Sequence, residues 1–166
     1  GLDIGTAQIK GVIAEEQKNG KLSVLSVFKH PSVGLRKGVV VDQEDFTHVL
    51  RDLILDLQKI SRHSTRNLFV NVASEHIKAR NSRGMTAVAR ADREIQQDDI
   101  DKAIQNSRAG KSQPNFMVLH NISREYFVDE VGDIHDPLGM TGSRLEVSTL
   151  IVEAFAPQVD ILIKSI

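Results

Sequence analysis

The chain opens Gly1-Leu2-Asp3-Ile4-Gly5-Thr6-Ala7-Gln8-Ile9-Lys10-Gly11-Val12-Ile13-Ala14, and the reading of this stretch decides the fold. Leu2 and Ile4 flank Asp3, a small polar turn follows, and Ile9, Gly11 and Ile13 then alternate with Lys10, Val12 and Ala14. Period-two alternation on both sides of a turn predicts a β-hairpin. A Rossmann fingerprint or a Walker loop would instead run from its glycines into a helix. The turn nevertheless has the parts of an anion site. Gly5 lets the backbone approach an oxyanion, Thr6 offers a hydroxyl and an amide, and successive N–H groups can form a nest. Asp3 and Lys10 bracket it with one metal-compatible carboxylate and one ammonium. Taken alone, the decapeptide fits a phosphate-binding turn and an ordinary hairpin, with Asp and Gly placed for turn geometry, equally well.

Strands are predicted at residues 1–5, 8–15 and 21–29, the last two joined through Lys18-Asn19-Gly20. Pro31-Ser32-Val33-Gly34 breaks this meander, and the β-branched stretch Gly38-Val39-Val40-Val41 ends in Asp42, a helix N-cap candidate. From there Phe46, Val49, Leu50, Leu53, Ile54, Leu57 and Ile60 recur at spacings of three and four, opposite Glu44, Arg51, Asp52 and Lys59. That pattern predicts a long amphipathic helix packed on a sheet. Asn67 to Ala73 reads as a buried strand, and the order β-β-β-α-β differs from the strand–helix alternation of a Rossmann half.

From Ser74 to about Glu146 the sequence is more polar. Strands are expected at 76–80 and 84–90 around an Asn81-Ser82-Arg83-Gly84 turn, and a helix at 97–109, with Asp98 and Asp99 in its first turn and Arg108 and Gly110 closing it. Further strands are expected at 116–123 and 126–129, and the glycine-bearing loop Asp136 to Gly142 precedes a final strand. There Leu145 and Val147 alternate with polar residues, whereas Leu150, Ile151 and Val152 are continuous. The change predicts a strand that leaves a small module and enters a main core, followed by a helix at 157–166. The fold class is thus α/β (α+β), with residues 74–148 inserted into a larger unit formed by 1–73 and 149–166.

Composition narrows the function classes. The 166 residues hold 21 Lys and Arg against 22 Asp and Glu, so no net field favours nucleic acid. Absence of cysteine excludes disulfides and cysteine-ligated metal. No apolar run approaches the ~20 residues of a membrane span. The six histidines show no metal-ligand spacing, and no Ser/His/Asp set is identifiable. Arg36, Lys37, Arg80, Arg83, Arg90 and Arg93 are interspersed with acids, as on a solvated face. Both ends of the chain read as cut from a longer protein.

Three segments together carry a family resemblance. Gly1 to Thr6 resembles the first phosphate loop of actin-like ATPases; Ser32-Val33-Gly34-Leu35-Arg36-Lys37-Gly38-Val39-Val40-Val41-Asp42 and Asp136-Pro137-Leu138-Gly139-Met140-Thr141-Gly142-Ser143-Arg144-Leu145-Glu146 resemble two segments specific to the bacterial, actin-like cell-division family FtsA. The resemblance implies a partial actin-like (ribonuclease H-like) subdomain interrupted by the module peculiar to that family. Within the module, Ser74-Glu75-His76-Ile77 and His120 to Tyr126 depart from the usual family segments.

By the same resemblance Gly5, Thr6 and Ala7 would hold the terminal phosphates of ATP, Lys10 would neutralise them, and Asp3 would reach Mg²⁺ through water. Mg²⁺ takes oxygen ligands and keeps several waters, and an ammonium beside polyphosphate is a common arrangement. The implied protein is a scaffold, at most a slow ATPase, located in the cytoplasm at the inner face of the membrane at the division site. It polymerises with itself, anchors the FtsZ ring, meets later division proteins through the 74–148 module, and reaches the membrane by a C-terminal helix beyond Ile166. Two alternatives share the phosphate turn: a PilM-like pilus assembly protein, and a sugar-kinase-like phosphotransferase, which would need a base aligned with its substrate hydroxyl.

Overall fold

A computed structural model describes residues 1–63, 65–109 and 113–166. The elements in chain order are β1 (Leu2–Ile4), β2 (Gln8–Glu16), β3 (Leu22–Pro31), β4 (Leu35–Arg36), β5 (Val39–Val40), α1 (Gln43–Ile60), β6 (Lys78–Ala87), α2 (Gln97–Arg108), β7 (Phe116–Val128), β8 (Val131–Ile134), β9 (Arg144–Phe155) and α3 (Ala156–Ser165). They form two compact units, Gly1–His76 with Ala156–Ile166, and Ile77–Phe155. Among the described residues, no helix is long and apolar enough to cross a membrane.

The first unit grows from the opening hairpin. β1 and β2 pair antiparallel with Asp3 opposite Lys10 and Ile4 opposite Ile9, and β3 adds along β2. Alternation puts Leu2, Ile4, Ile9 and Ile13 on one face, where they are buried with Phe46, Leu50, Leu53 and Leu57 of α1. Each such side chain contributes about 1.5–3 kcal/mol on leaving water. Gly11 lets the helix come close: a Cβ there would stand 2.9 Å from Leu57 Cδ1. Asp42 caps α1 as the sequence predicts, its carboxylate accepting from Asp45 N at 3.0 Å. Val40 N donates to Gln158 Oε1 at 3.3 Å, and Leu162 of α3 packs against the same core.

The strand expected at 67–73 is reduced to a single parallel bridge between Val70 and Leu2. Leu2 N donates to Phe69 O at 2.7 Å and Asn71 N to Leu2 O at 3.2 Å. The next rung of a parallel ladder would send Ile4 N to the Asn71 carbonyl. Instead the side-chain Oδ1 of Asn71 takes that hydrogen bond at 2.6 Å, so a local side chain replaces the ladder.

The second unit is a four-stranded antiparallel sheet, ordered β6-β9-β7-β8, under α2. Two places where two strands are expected prove to be single continuous strands. β6 runs straight through Asn81 to Gly84, because Gly84 is the place where α2 lies on the sheet, and a Cβ there would strike the Ala103 carbonyl and the Ser107 amide. β7 absorbs its polar interruption as bulges near His120 and Arg124. β9 pairs with β6 and β7 from Arg144 to the region of Glu153–Phe155, so the return expected at 149 comes after Phe155. Its apolar run arises because β9 is flanked by strands on both sides: Ile151 is buried, and Leu150 and Val152, on the opposite face, are half-buried. α2 spans Gln97–Arg108 with Ala109 as its C-cap; Gly110, expected as its closing residue, lies outside the described residues.

Three of the interspersed arginines are tied to acids. Arg80 meets Glu153 at 3.4 Å, Arg83 meets Glu146 at 3.0 Å, and Arg90 pairs with Asp98 and with the buried Asp99.

Two outcomes follow. Gly84→Val should lose about 3 kcal/mol in urea unfolding by overpacking against α2, whereas Gly139→Ala, with open space around a φ of +77°, should lose only about 1–2 kcal/mol. In the first unit, Lys59 at 2.7 Å and His30 at 2.9 Å both bond Asp56, and these bonds, Lys59's foremost, hold its carboxyl below the usual range. A depressed folded-state pKa stabilises above the unfolded value and is lost as pH falls through the folded one. The thermal midpoint advantage over Asp56→Asn should therefore be full well above the unfolded carboxyl value of about 4, begin to shrink as pH approaches it, and disappear only below the depressed folded value.

Candidate functional site

The turn at Gly5 to Gln8 closes with Gly5 N donating to Gln8 O at 3.1 Å. A Cβ on Gly5 would stand 2.9 Å from that oxygen, which accounts for glycine here. The Gly5 amide is thereby engaged within the turn. Among the described residues, the amides of Thr6 and Ala7 have no acceptor, and they are the two donors the loop leaves for an anion.

The Ser32 to Asp42 segment docks on this turn. Ser32 N donates to Ala7 O at 3.1 Å, and Gly38 N donates to Thr6 Oγ at 3.1 Å. The segment is a small hairpin in which Arg36 faces Val39 across the two residues Lys37 and Gly38, whose φ values of 51° and 76° are those of a type I′ turn. A Cβ on Gly38 would strike the Ala73 carbonyl. Thr6 Oγ accepts from the hairpin and keeps its own proton to donate. Arg36 and Lys37 are exposed beside it.

Asp3 and Lys10 project from the face of the sheet opposite α1 and meet at 3.1 Å between Asp3 Oδ2 and Lys10 Nζ. The second Asp3 oxygen, Oδ1, accepts from Asn71 Nδ2 at 3.0 Å. These three residues edge a groove of about 550 Å³ whose apolar wall includes Val12, Val27 and the exposed Phe69. The structure thus brings Asp3 and Lys10 together and leaves Thr6 and Ala7 as amide donors. Asn71 was absent from the sequence-based site. Its only signal was one polar residue inside Leu68-Phe69-Val70-Asn71-Val72-Ala73.

The Thr6 and Ala7 amides, the Lys10 ammonium and the Asp3 carboxylate are groups of the kinds that suit a phosphate and a hydrated Mg²⁺. Among the described residues, no three His, Cys, Asp or Glu side chains gather as a metal cage. Magnesium here would accordingly take most of its ligands from water and phosphate, its usual preference.

Residues 74–153 match the family model described as the SHS2 domain inserted in FTSA. Cell division protein FtsA of Pseudomonas aeruginosa is 34% identical over 152 residues, which is 92% of this chain and 36% of that protein. The chain belongs to the FtsA family. FtsA of Borreliella burgdorferi is 32% identical over 92% of the chain and 37% of its own length, and FtsA of Escherichia coli K12 is 24% identical over 100% of the chain and 39% of its own length. The chain therefore spans well under half of the curated FtsA relatives it matches. A solved PilM-PilN type IV pilus biogenesis complex aligns over 99% of this chain and 42% of its own with a TM-score of 0.61 at 13% identity. That likeness is one of fold, and with the inserted SHS2 domain it makes the chain a partial actin-like fold.

Proposed function

We propose that this chain is the part of an actin-like cell-division scaffold that supplies one wall of an ATP site, and that nucleotide state governs assembly of the whole protein. The observation that carries this reading is the turn with free Thr6 and Ala7 amides beside the Asp3–Lys10 pair. The relatives' shared name supports the division role. On this reading Thr6, Ala7 and Lys10 bind and orient the terminal phosphates, Gly5 shapes the turn, and Asp3 holds Mg²⁺ through water. The ion, when bound, would neutralise charge on the phosphate oxygens.

Self-polymerisation, anchoring of FtsZ and attachment to the inner face of the membrane belong to the same proposal, as properties of a protein of the relatives' full length. The SHS2 unit would meet later division proteins. The PilM-PilN likeness, at 13% identity, supports the architecture rather than a pilus role.

Calorimetry on a full-length family protein carrying this chain tests the reading. Lys10→Ala should weaken MgATP binding at least tenfold, the loss of one charge-assisted contact. Thr6→Ala should weaken it too and also release the Lys37–Gly38 hairpin, seen as faster amide exchange at Gly38. Unchanged affinity in both variants would overturn the assignment, and rapid phosphorylation of a small polyol would move it to the kinase class. The 166-residue chain alone, with one wall, should bind ATP little or not at all.

A further inference from the structure

Resting on the phosphate-site reading, we infer that Asn71 is a positioning residue that fixes the Asp3 carboxylate for a hydrated divalent cation, independently of Lys10. Asp3 stands 55% exposed on an open sheet face, where its side chain would rotate freely without partners. Its two oxygens are instead held by different groups. Lys10 Nζ takes Oδ2 at 3.1 Å and Asn71 Nδ2 takes Oδ1 at 3.0 Å.

The two tethers differ in kind. The Lys10 ammonium is a mobile point charge on a four-carbon stem, and an incoming phosphate competes for it directly. When Lys10 turns to a phosphate, Asp3 Oδ2 is freed for a metal-bound water. Asn71 cannot follow. Its Oδ1 accepts from Ile4 N at 2.6 Å, its backbone N donates to Leu2 O at 3.2 Å, and its Nδ2 can therefore point only to the carboxylate. The network also settles the amide's orientation, since an N–H faces one end and a carboxylate the other. Being neutral, Asn71 holds Asp3 in place without cancelling the charge that attracts the cation. Lys10 neutralises the same charge while it is bound. Residues that orient a metal-binding carboxylate in this way typically change metal affinity 10- to 100-fold when removed.

ATP affinity, measured with and without Mg²⁺ on a full-length family protein carrying this chain, separates this role from a purely structural one. Asn71→Ala should remove about tenfold of the gain in affinity that Mg²⁺ confers and leave Mg²⁺-free ATP binding as it was. In an Asp3→Asn background the same substitution should have no further effect on the Mg²⁺ gain, although the nucleotide-free thermal midpoint still falls because Ile4 N loses its acceptor. Asn71→Thr keeps a side-chain oxygen beside Ile4 N and removes the amide donor to Asp3 without adding a charge. It should reproduce the Mg²⁺ loss with less change in midpoint, and it serves as the test if Asn71→Ala does not fold. Equal loss of ATP affinity with and without Mg²⁺, or an unchanged Mg²⁺ gain in both Asn71 variants, would overturn the inference while leaving the phosphate site standing. If Lys10→Ala and Asp3→Asn also left binding unchanged, the site itself would fall.

Discussion

Burial of Leu2, Ile4, Ile9 and Ile13 beneath α1 is the constraint on which the first unit depends. A strand's side chains alternate, so committing these residues to the helix face commits Asp3 and Lys10 to the other. The antiparallel register then sets the two directly opposite each other. The charged pair is in this sense a by-product of the hydrophobic core: a slip of one residue would bury both charges and expose the isoleucines. Gly11 contributes from the same face by letting Leu57 lie on the sheet.

The second unit obeys the same logic with a closer approach. Gly84 receives the backbone of α2 directly, and Ser82 and Asn121 bond the helix's C-terminal turn through the Ser107 and Ile104 carbonyls at 2.7 and 3.2 Å. Leu145, Val147 and Ile151 supply the buried face of the central strand. The core is small, and the sheet's other face carries Arg83, Glu146 and Phe127, with the guanidinium both paired to the carboxylate and 5.3 Å from the ring centroid. Such surface pairs add little to stability. They do account for arginines that the sequence shows without partners.

Around the Gly5 to Gln8 turn, two sequence motifs become one object. The Ser32 to Asp42 segment holds the turn at Ala7 O and Thr6 Oγ, so one segment braces the other. The Lys37–Gly38 pair supplies the positive φ values such a brace requires. Support of this kind limits how far the turn can move.

The sequence by itself determined the opening hairpin, the capped helix α1, helix α2 and the family, because each rests on local periodicity, turn chemistry or a contiguous motif. Tertiary structure alone decided the rest. Whether Gly84 turns or passes straight under a helix depends on α2, more than a dozen residues away. Where β9 stops depends on the strands at its sides, since pairing and burial act on the same apolar residues. Asn71 reads as part of a buried strand in the sequence because its two partners, Ile4 N and Asp3 Oδ1, lie 67 and 68 residues away, and hydrogen bonds over that separation leave no local pattern to read.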